Sequence, residues 1–235
     1  CCSNPSDAYI DGAYNPRTRA FEIRLKGRMP GSVIHYTLDG NEPTSKAAIY
    51  TQPIKVTKDT QVKAVVFKNG AQVGKVTKKS FFVNKATGKS TSSNVAYRFK
   101  PDNPGAKDYS EFNFCGLTNG IRGYLNHVHP WVAFKPAQYT EIIVDLDTIT
   151  SFRKIRYGVM NGYGQEAVAP ESVDIEISND SISFKRIASK KFTYTISNKW
   201  QMFEQKFNFE PQKARYVKLR FKNGKLPHKL GGFPV

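Results

Sequence analysis

Two pairs of carboxylates stand two residues apart, Asp145 with Asp147 and Asp174 with Glu176. On an extended strand that spacing puts both members on one face, the placement that general acid–base chemistry would need. Each pair sits in an alternating run and reads as a solvated strand face, not as an acid–base couple. His127 and His129 flank Val128 and share a face if the segment is extended, so two imidazoles could meet a metal ion. No third ligand accompanies them, and no metal site is expected. His35 and His228 complete the four His of the sequence. The cysteines are Cys1, Cys2 and Cys115. Adjacent Cys1 and Cys2 are badly placed to bridge each other, and an odd count is no disulfide framework. Cys115, between Phe114 and Gly116, reads as a buried thiol. No CxxC spacing suggests zinc, no GxSxG marks a nucleophile, and no cofactor is implied.

Binding chemistry is better represented. The apolar face of a pyranose stacks on an aromatic ring while its hydroxyls take directed hydrogen bonds. Tyr163 and Asn161 suit this in the glycine-flanked run Met160-Asn161-Gly162-Tyr163-Gly164-Gln165-Glu166, with Tyr124, His127 and His228 as further candidates. Charge offers a second theme. Lys and Arg number 36 against 19 Asp and Glu, a net +17, which favours anionic partners such as nucleic acid, a membrane surface or an acidic polysaccharide. The basic residues are spread along strands and turns, which also suits a merely solubilising surface. Arg153, Lys154 and Arg156 form the densest cluster beside a strand. No RNP motif, helix-turn-helix or basic helix is present, so no nucleic-acid partner is expected. No apolar run approaches the length of a membrane-spanning helix, and no signal peptide is visible.

The elements that must position these residues are strands. Hydrophobic residues make up 39% of the 235, enough for ordinary cores. Short alternating runs are separated by Gly, Asn, Asp and Pro, the pattern of an all-β chain. After an irregular stretch over 1–16, strands are expected at 20–25, 34–38, 53–56 (a short edge strand), 60–67 and 76–83. In the second of these, Ile34, Tyr36 and Leu38 alternate with outward His35 and Thr37. It runs into Asp39-Gly40-Asn41-Glu42-Pro43-Thr44, a turn shaped by Asp39 and Gly40. Asn69-Gly70 predicts a tight hairpin. The polar run 84–93 reads as a linker. Further strands are expected at 141–146, 151–158, 172–178, 185–189, 201–207 and 214–221, with a turn at 180–184 and Gly-rich loops at 160–170 and 223–234.

Two resemblances follow from these residues. Tyr36-Thr37-Leu38-Asp39-Gly40-Asn41-Glu42-Pro43-Thr44, with Ile49-Tyr50, Pro53-Ile54, Val62-Lys63-Ala64 and Phe67, resembles the C-terminal sandwich of chitobiases and β-N-acetylhexosaminidases. Asn84-Lys85-Ala86-Thr87-Gly88-Lys89 looks like the junction after that sandwich in family 20 glycoside hydrolases. The second half resembles a discoidin domain, also called coagulation factor 5/8 type C. The residues are Leu117-Thr118-Asn119-Gly120, Trp131 with Phe134, Val144-Asp145-Leu146, Pro170-Glu171-Ser172-Val173-Asp174-Ile175, Ser178-Asn179-Asp180 with Phe184, and Ala214-Arg215-Tyr216-Val217-Lys218-Leu219. Asn119 stands where the family usually has Asp, which weakens the case for a calcium site there.

The resemblance implies two β-sandwiches, an immunoglobulin- or fibronectin-like one over 1–83 and a discoidin jelly roll over 94–235, joined by 84–93. The family's chain would continue past Val235 into a last strand, so a fragment is expected. Cys1 is then either its start or the lipid-bearing residue of a bacterial lipoprotein. It further implies the tail of a family 20 β-N-acetylhexosaminidase. Such an enzyme uses an Asp-Glu pair beside the substrate's own acetamido group on a barrel of about 250 residues. Neither is in this sequence, so no catalytic residue is expected. The expected role is an accessory one outside the cytoplasm, in the periplasm or on the cell surface. The partners are a glycan containing N-acetylhexosamine or galactose and a catalytic domain in cis. In discoidin-like modules the sugar-binding groups lie on loops at one end, which groups Tyr163, Asn161, Tyr124, His127 and His228. Trp131, matching the family's W-x-x-F segment, reads as packing. A purely structural role and binding of an anionic polysaccharide are the alternatives.

Overall fold

The computed structural model describes residues 4–99, 116–122, 131–135, 137–162, 168–194 and 199–224, and among these there is no helix. They form two compact units. The first takes the residues up to Gly88 together with Thr118–Arg122, and the second takes the rest.

The first unit has eight strands: β1 (Tyr9–Asn15), β2 (Ala20–Lys26), β3 (Val33–Thr37), β4 (Ala48–Ile49), β5 (Ile54–Val56), β6 (Thr60–Lys68), β7 (Ala71–Gln72) and β8 (Thr77–Phe81). One sheet has the order β1-β2-β5, and the other has β4-β3-β6-β7 with β8 also paired to β6. Between them lies a core that includes Phe21, Ile23, Val62, Val66 and Phe81, with the rings of Phe21 and Phe81 5.0 Å apart. The Asn69-Gly70 hairpin forms as expected, both residues at positive φ (51° and 78°), as a two-residue hairpin requires.

Two expectations are corrected here. Residues 9–15 are a regular strand rather than irregular, paired along their length with β2. Ile10, Gly12 and Tyr14 alternate inward. Asp11 and Gly12 imitate a turn in the sequence, but a Cβ on Gly12 would lie 2.6 Å from the Phe81 ring, so this glycine makes room for the core. His35 is buried rather than outward. Its Nδ1 lies 2.9 Å from the Ala47 carbonyl oxygen, and its ring packs at 4.9 Å on Phe67. The Ala47 carbonyl and the Phe67 ring thus enclose a side chain on the second face of β3, and strict alternation cannot report burial on both faces.

The second unit contains β9 (Thr91–Ser93), β10 (Tyr97–Phe99), β11 (Val132–Phe134), β12 (Tyr139–Asn161), β13 (Ser172–Ser178), β14 (Lys185–Lys191) and β15 (Gln201–Lys222). Its main sheet runs β14-β13-β15-β12-β9, and β10-β11 form a separate pair. Its core includes Ile142, Val173, Ile175, Phe207, Leu219 and Phe221. The expected strands at 141–146 and 151–158 are one strand, as are those at 201–207 and 214–221. The two resulting strands pair with each other from end to end, with irregularities between Asp145 and Thr150 and between Phe152 and Lys154. Asp147 takes a positive φ of 67° there. The break in the hydrophobic pattern is a bulge, which bends a strand without ending it.

Within 84–93 the chain changes unit. Thr87, 4% exposed, donates its hydroxyl to the Phe82 carbonyl at 3.0 Å and accepts the Asn84 N–H at 3.0 Å. Thr91–Ser93 pairs with β12 as the edge of the second sheet. The fold is thus all-β, in two sandwich units.

Candidate functional site

The far end of the β12–β15 pair carries Asn161, the described member of the sugar-contact candidates. Ile155, Tyr157, Val159 and Asn161 alternate toward the interior, while Lys154, Arg156, Gly158 and Met160 face out. Each outward glycine has a tryptophan ring beside it. A Cβ on Gly158 would lie 3.3 Å from the Trp131 ring, and one on Gly162 would lie 2.3 Å from the Trp200 ring. Glycine is therefore required at 162, since that approach is below any real contact. Trp200, which precedes β15, carries no signal of its own in the sequence. The signal was its counterpart: a glycine in the strand pattern at 162 marks a close approach.

Asn161 is 2% exposed. Its Oδ1 accepts the Ala169 N–H at 3.2 Å, and its Nδ2 donates to Gln201 Oε1 at 3.4 Å. The amide thereby ties together the two chain positions that bracket 163–167. Next to Ala169, a Cβ on Gly224 would fall 2.6 Å from Val168 Cγ1 and 2.9 Å from the Ala169 carbonyl oxygen. Gly224 therefore packs directly against Val168 and Ala169. Asn223 anchors this point, its Nδ2 donating to the Ala137 carbonyl at 2.7 Å and to Thr140 Oγ1 at 2.8 Å. Tyr163, Tyr124, His127 and His228 themselves lie outside the described residues, as do His129 and all three cysteines.

The carboxylate pairs are engaged elsewhere. Asp145 takes a two-pronged bond from Arg215, at 2.9 Å to each oxygen. That guanidinium, with the Asp147 N–H, holds the Asp145 carboxyl below the usual range. Lys89 meets Asp147, Arg186 meets Asp174 at 3.6 Å, and Lys218 meets Glu176 at 2.6 Å. Each acid thus has its own cation, and adjacent members share no proton. In the first unit Asp39 accepts the Asn41 N–H at 3.0 Å, which lowers its pKa, and Glu42 pairs with Lys63. Asp39 thus shapes its turn, as expected, and Glu42 ties that turn to β6. Inside the second unit two phenols are buried without a hydrogen-bond partner, Tyr157 and Tyr194. Burial pushes both up, Tyr194 to about 12 and Tyr157 further, where the neighbouring Tyr194 adds to the effect.

The family profile described as Fn3 associated matches residues 23–81, and that described as F5/8 type C domain matches residues 105–230. No curated protein matches. Solved structures similar to this chain include chitosan-binding module 1 of a chitosanase/glucanase from Paenibacillus sp. IK-5. It is 16% identical, with 61% of this chain and 89% of that chain covered and a TM-score of 0.39. A GH29 fucosidase from Ruminococcus gnavus in complex with fucose is 16% identical over 61% of this chain and 24% of that one, at a TM-score of 0.38. The C-terminal domain of a chitobiase from Bacteroides fragilis is 17% identical over 61% of this chain and 85% of that one, at 0.31.

Proposed function

We propose that this chain, which belongs to the F5/8 type C domain family, is a non-catalytic accessory region whose second unit binds carbohydrate. The observation that carries the reading is the convergence at one end of the second sheet. Asn161 and Ala169 clamp the ends of 163–167, Gly224 starts the next segment against them, and Trp200 packs on Gly162. Tyr163 then supplies the stacking ring, Tyr124, His127 and His228 supply polar contacts, and Asn161 acts beneath them by holding the segment. The glycan contains N-acetylhexosamine or galactose. The parent protein is a β-N-acetylhexosaminidase-like glycoside hydrolase acting outside the cytoplasm, with the first unit as spacer between its barrel and the glycan-binding unit.

The test is calorimetric titration of the 235-residue chain with chitotriose and with N-acetyllactosamine. Binding is expected to weaken about tenfold in Tyr163→Ala, with thermal stability unchanged. Absence of heat with both sugars at millimolar concentration, from folded protein, overturns the reading. The second reading, a purely structural unit, is favoured by one observation: the Asn161 amide is used within the protein. It predicts that Tyr163→Ala changes nothing in any glycan measurement.

A further inference from the structure

The ion pairs of the second unit are unevenly spread. Across β12, β15, β13 and β14, Glu141 meets Arg220 at 3.1 Å, Glu176 meets Lys218 at 2.6 Å and Asp174 meets Arg186 at 3.6 Å. Lys222 adds Glu171 at 2.9 Å. On that half of the outer face each of these acids is matched to a cation, and Lys191, opposite Ser172, stands outside the pairs. Beyond the bulge at 152–154 the same face changes character. Lys154 stands opposite Asn208, and Arg156 stands directly opposite Lys206. Lys154, Arg156 and Lys206 are all exposed. Among the described residues neither Lys154 nor Arg156 has an ion-pair partner, and the one acid on this stretch, Glu204, is taken by Lys206 at 3.0 Å.

Like charges directly opposite on a sheet destabilise it. Neither side chain is buried, so no packing gain offsets that cost. Residues two apart on one strand are separated by roughly 6.8 Å, and directly opposed residues by about 5 Å. Three cations therefore share a patch about the size of a disaccharide. Two residues beyond Arg156 the row meets Trp131, lying against Gly158.

We propose that the outer face of the β12–β15 pair, at Lys154, Arg156 and Lys206 beside Trp131, is a contact surface for an acidic polysaccharide of the uronic-acid class. The sugar carboxylates meet the cations, and a pyranose face lies on the indole. Nucleic acid fits less well by count. Duplex binding that is steep in salt neutralises about 6–10 phosphates, whereas this patch holds three cations, one already shared with Glu204. A two-stranded ribbon can enter a major groove, but the reverse face of this one carries Phe207 and Tyr157 into the core. The proposal is carried by Lys154, Arg156 and Lys206 and does not rest on the reading given for Tyr163.

The test uses the 235-residue chain titrated with hexagalacturonate, its methyl ester, chitotriose and a single-stranded oligodeoxynucleotide, between about 50 and about 200 mM salt. Hexagalacturonate is expected to bind, more weakly as salt rises, and the methyl ester not to bind. Arg156→Gln with Lys206→Gln should weaken hexagalacturonate about tenfold or more. It should also leave chitotriose binding unchanged and raise Tm slightly by relieving the opposed charges. Lys46→Gln with Lys58→Gln, two exposed lysines of the first unit, should have no effect. Loss of chitotriose binding alone would remove the site at Tyr163 and leave this one standing. The proposal is overturned if hexagalacturonate fails to bind, if the Arg156/Lys206 variant binds it as well as the unaltered chain, or if the Lys46/Lys58 variant loses as much. It also falls if the oligodeoxynucleotide binds more tightly through the same residues.

Discussion

Asp180 shows how much one side chain can organise. It accepts the Ile182 N–H at 2.9 Å, the Ser183 N–H at 2.8 Å and the Ser178 hydroxyl at 2.7 Å. These bonds, the Ser178 hydroxyl foremost, hold its pKa down from 3.8 to about 2. A carboxyl lowered by folding stabilises the protein above its ordinary pKa, and the contribution is lost as pH falls through the folded value. Thermal melts should therefore show stability declining from about pH 4 to about pH 2, with that step reduced in Asp180→Asn, which should also melt lower at neutral pH. The buried phenols run the other way. Tyr194 stays protonated to about pH 12 when folded, against 10.0 ordinarily. Stability is then complete below pH 10 and falls as pH rises toward 12. The double variant Tyr157→Phe, Tyr194→Phe should resist alkali better. At neutral pH it should be equal or more stable by up to about 1 kcal/mol, because it removes two unpartnered buried hydroxyls. Urea titration at both pH values checks this.

Among the elements, Thr118–Arg122 is the one whose place could not be read from its neighbours in sequence. It resembles a discoidin turn, yet it completes the first unit. The Phe82 N–H donates to the Gly120 carbonyl at 2.8 Å and the Gly88 N–H to Thr118 at 2.8 Å, while Ile121 bridges Phe81. Gly120 has a φ of 73°, and a Cβ there would lie 2.4 Å from the Phe82 carbonyl oxygen and 2.6 Å from the Phe21 ring. Gly120→Ala should therefore destabilise the first unit by about 1–3 kcal/mol. Hydrogen exchange should show protection falling at Phe81, Phe82 and Gly88 and holding in β13 and β15. Equal loss in both units, or none, would refute this. The long strands teach a related lesson. Sequence periodicity breaks wherever a bulge shifts the register, so β12 and β15 each read as two strands until their pairing is seen.

For the whole molecule, the +17 charge is a property of distribution more than of amount. The sheet of the second unit pairs its charges on one half of its outer face and leaves them opposed on the other. Salt should therefore act on association with polyanions far more than on stability, because exposed cations are screened within about 10 Å at 0.1 M salt. Binding of neutral glycans should be nearly independent of salt.

The sequence by itself determined the all-β class, the two sandwiches, the Asn69-Gly70 hairpin and the turn at Asp39, because period-two patterning and turn chemistry are local. It also yielded the discoidin-like family, through residues such as Val173-Asp174-Ile175 and Tyr216-Val217-Lys218-Leu219. Tertiary structure alone decided which glycines make room for rings, as Gly12 does for Phe81 and Gly162 for Trp200. It alone buried His35 on the second face of its strand and set Arg156 opposite Lys206. Each of these depends on residues far apart in the chain, and long-range register is what a one-dimensional pattern does not carry.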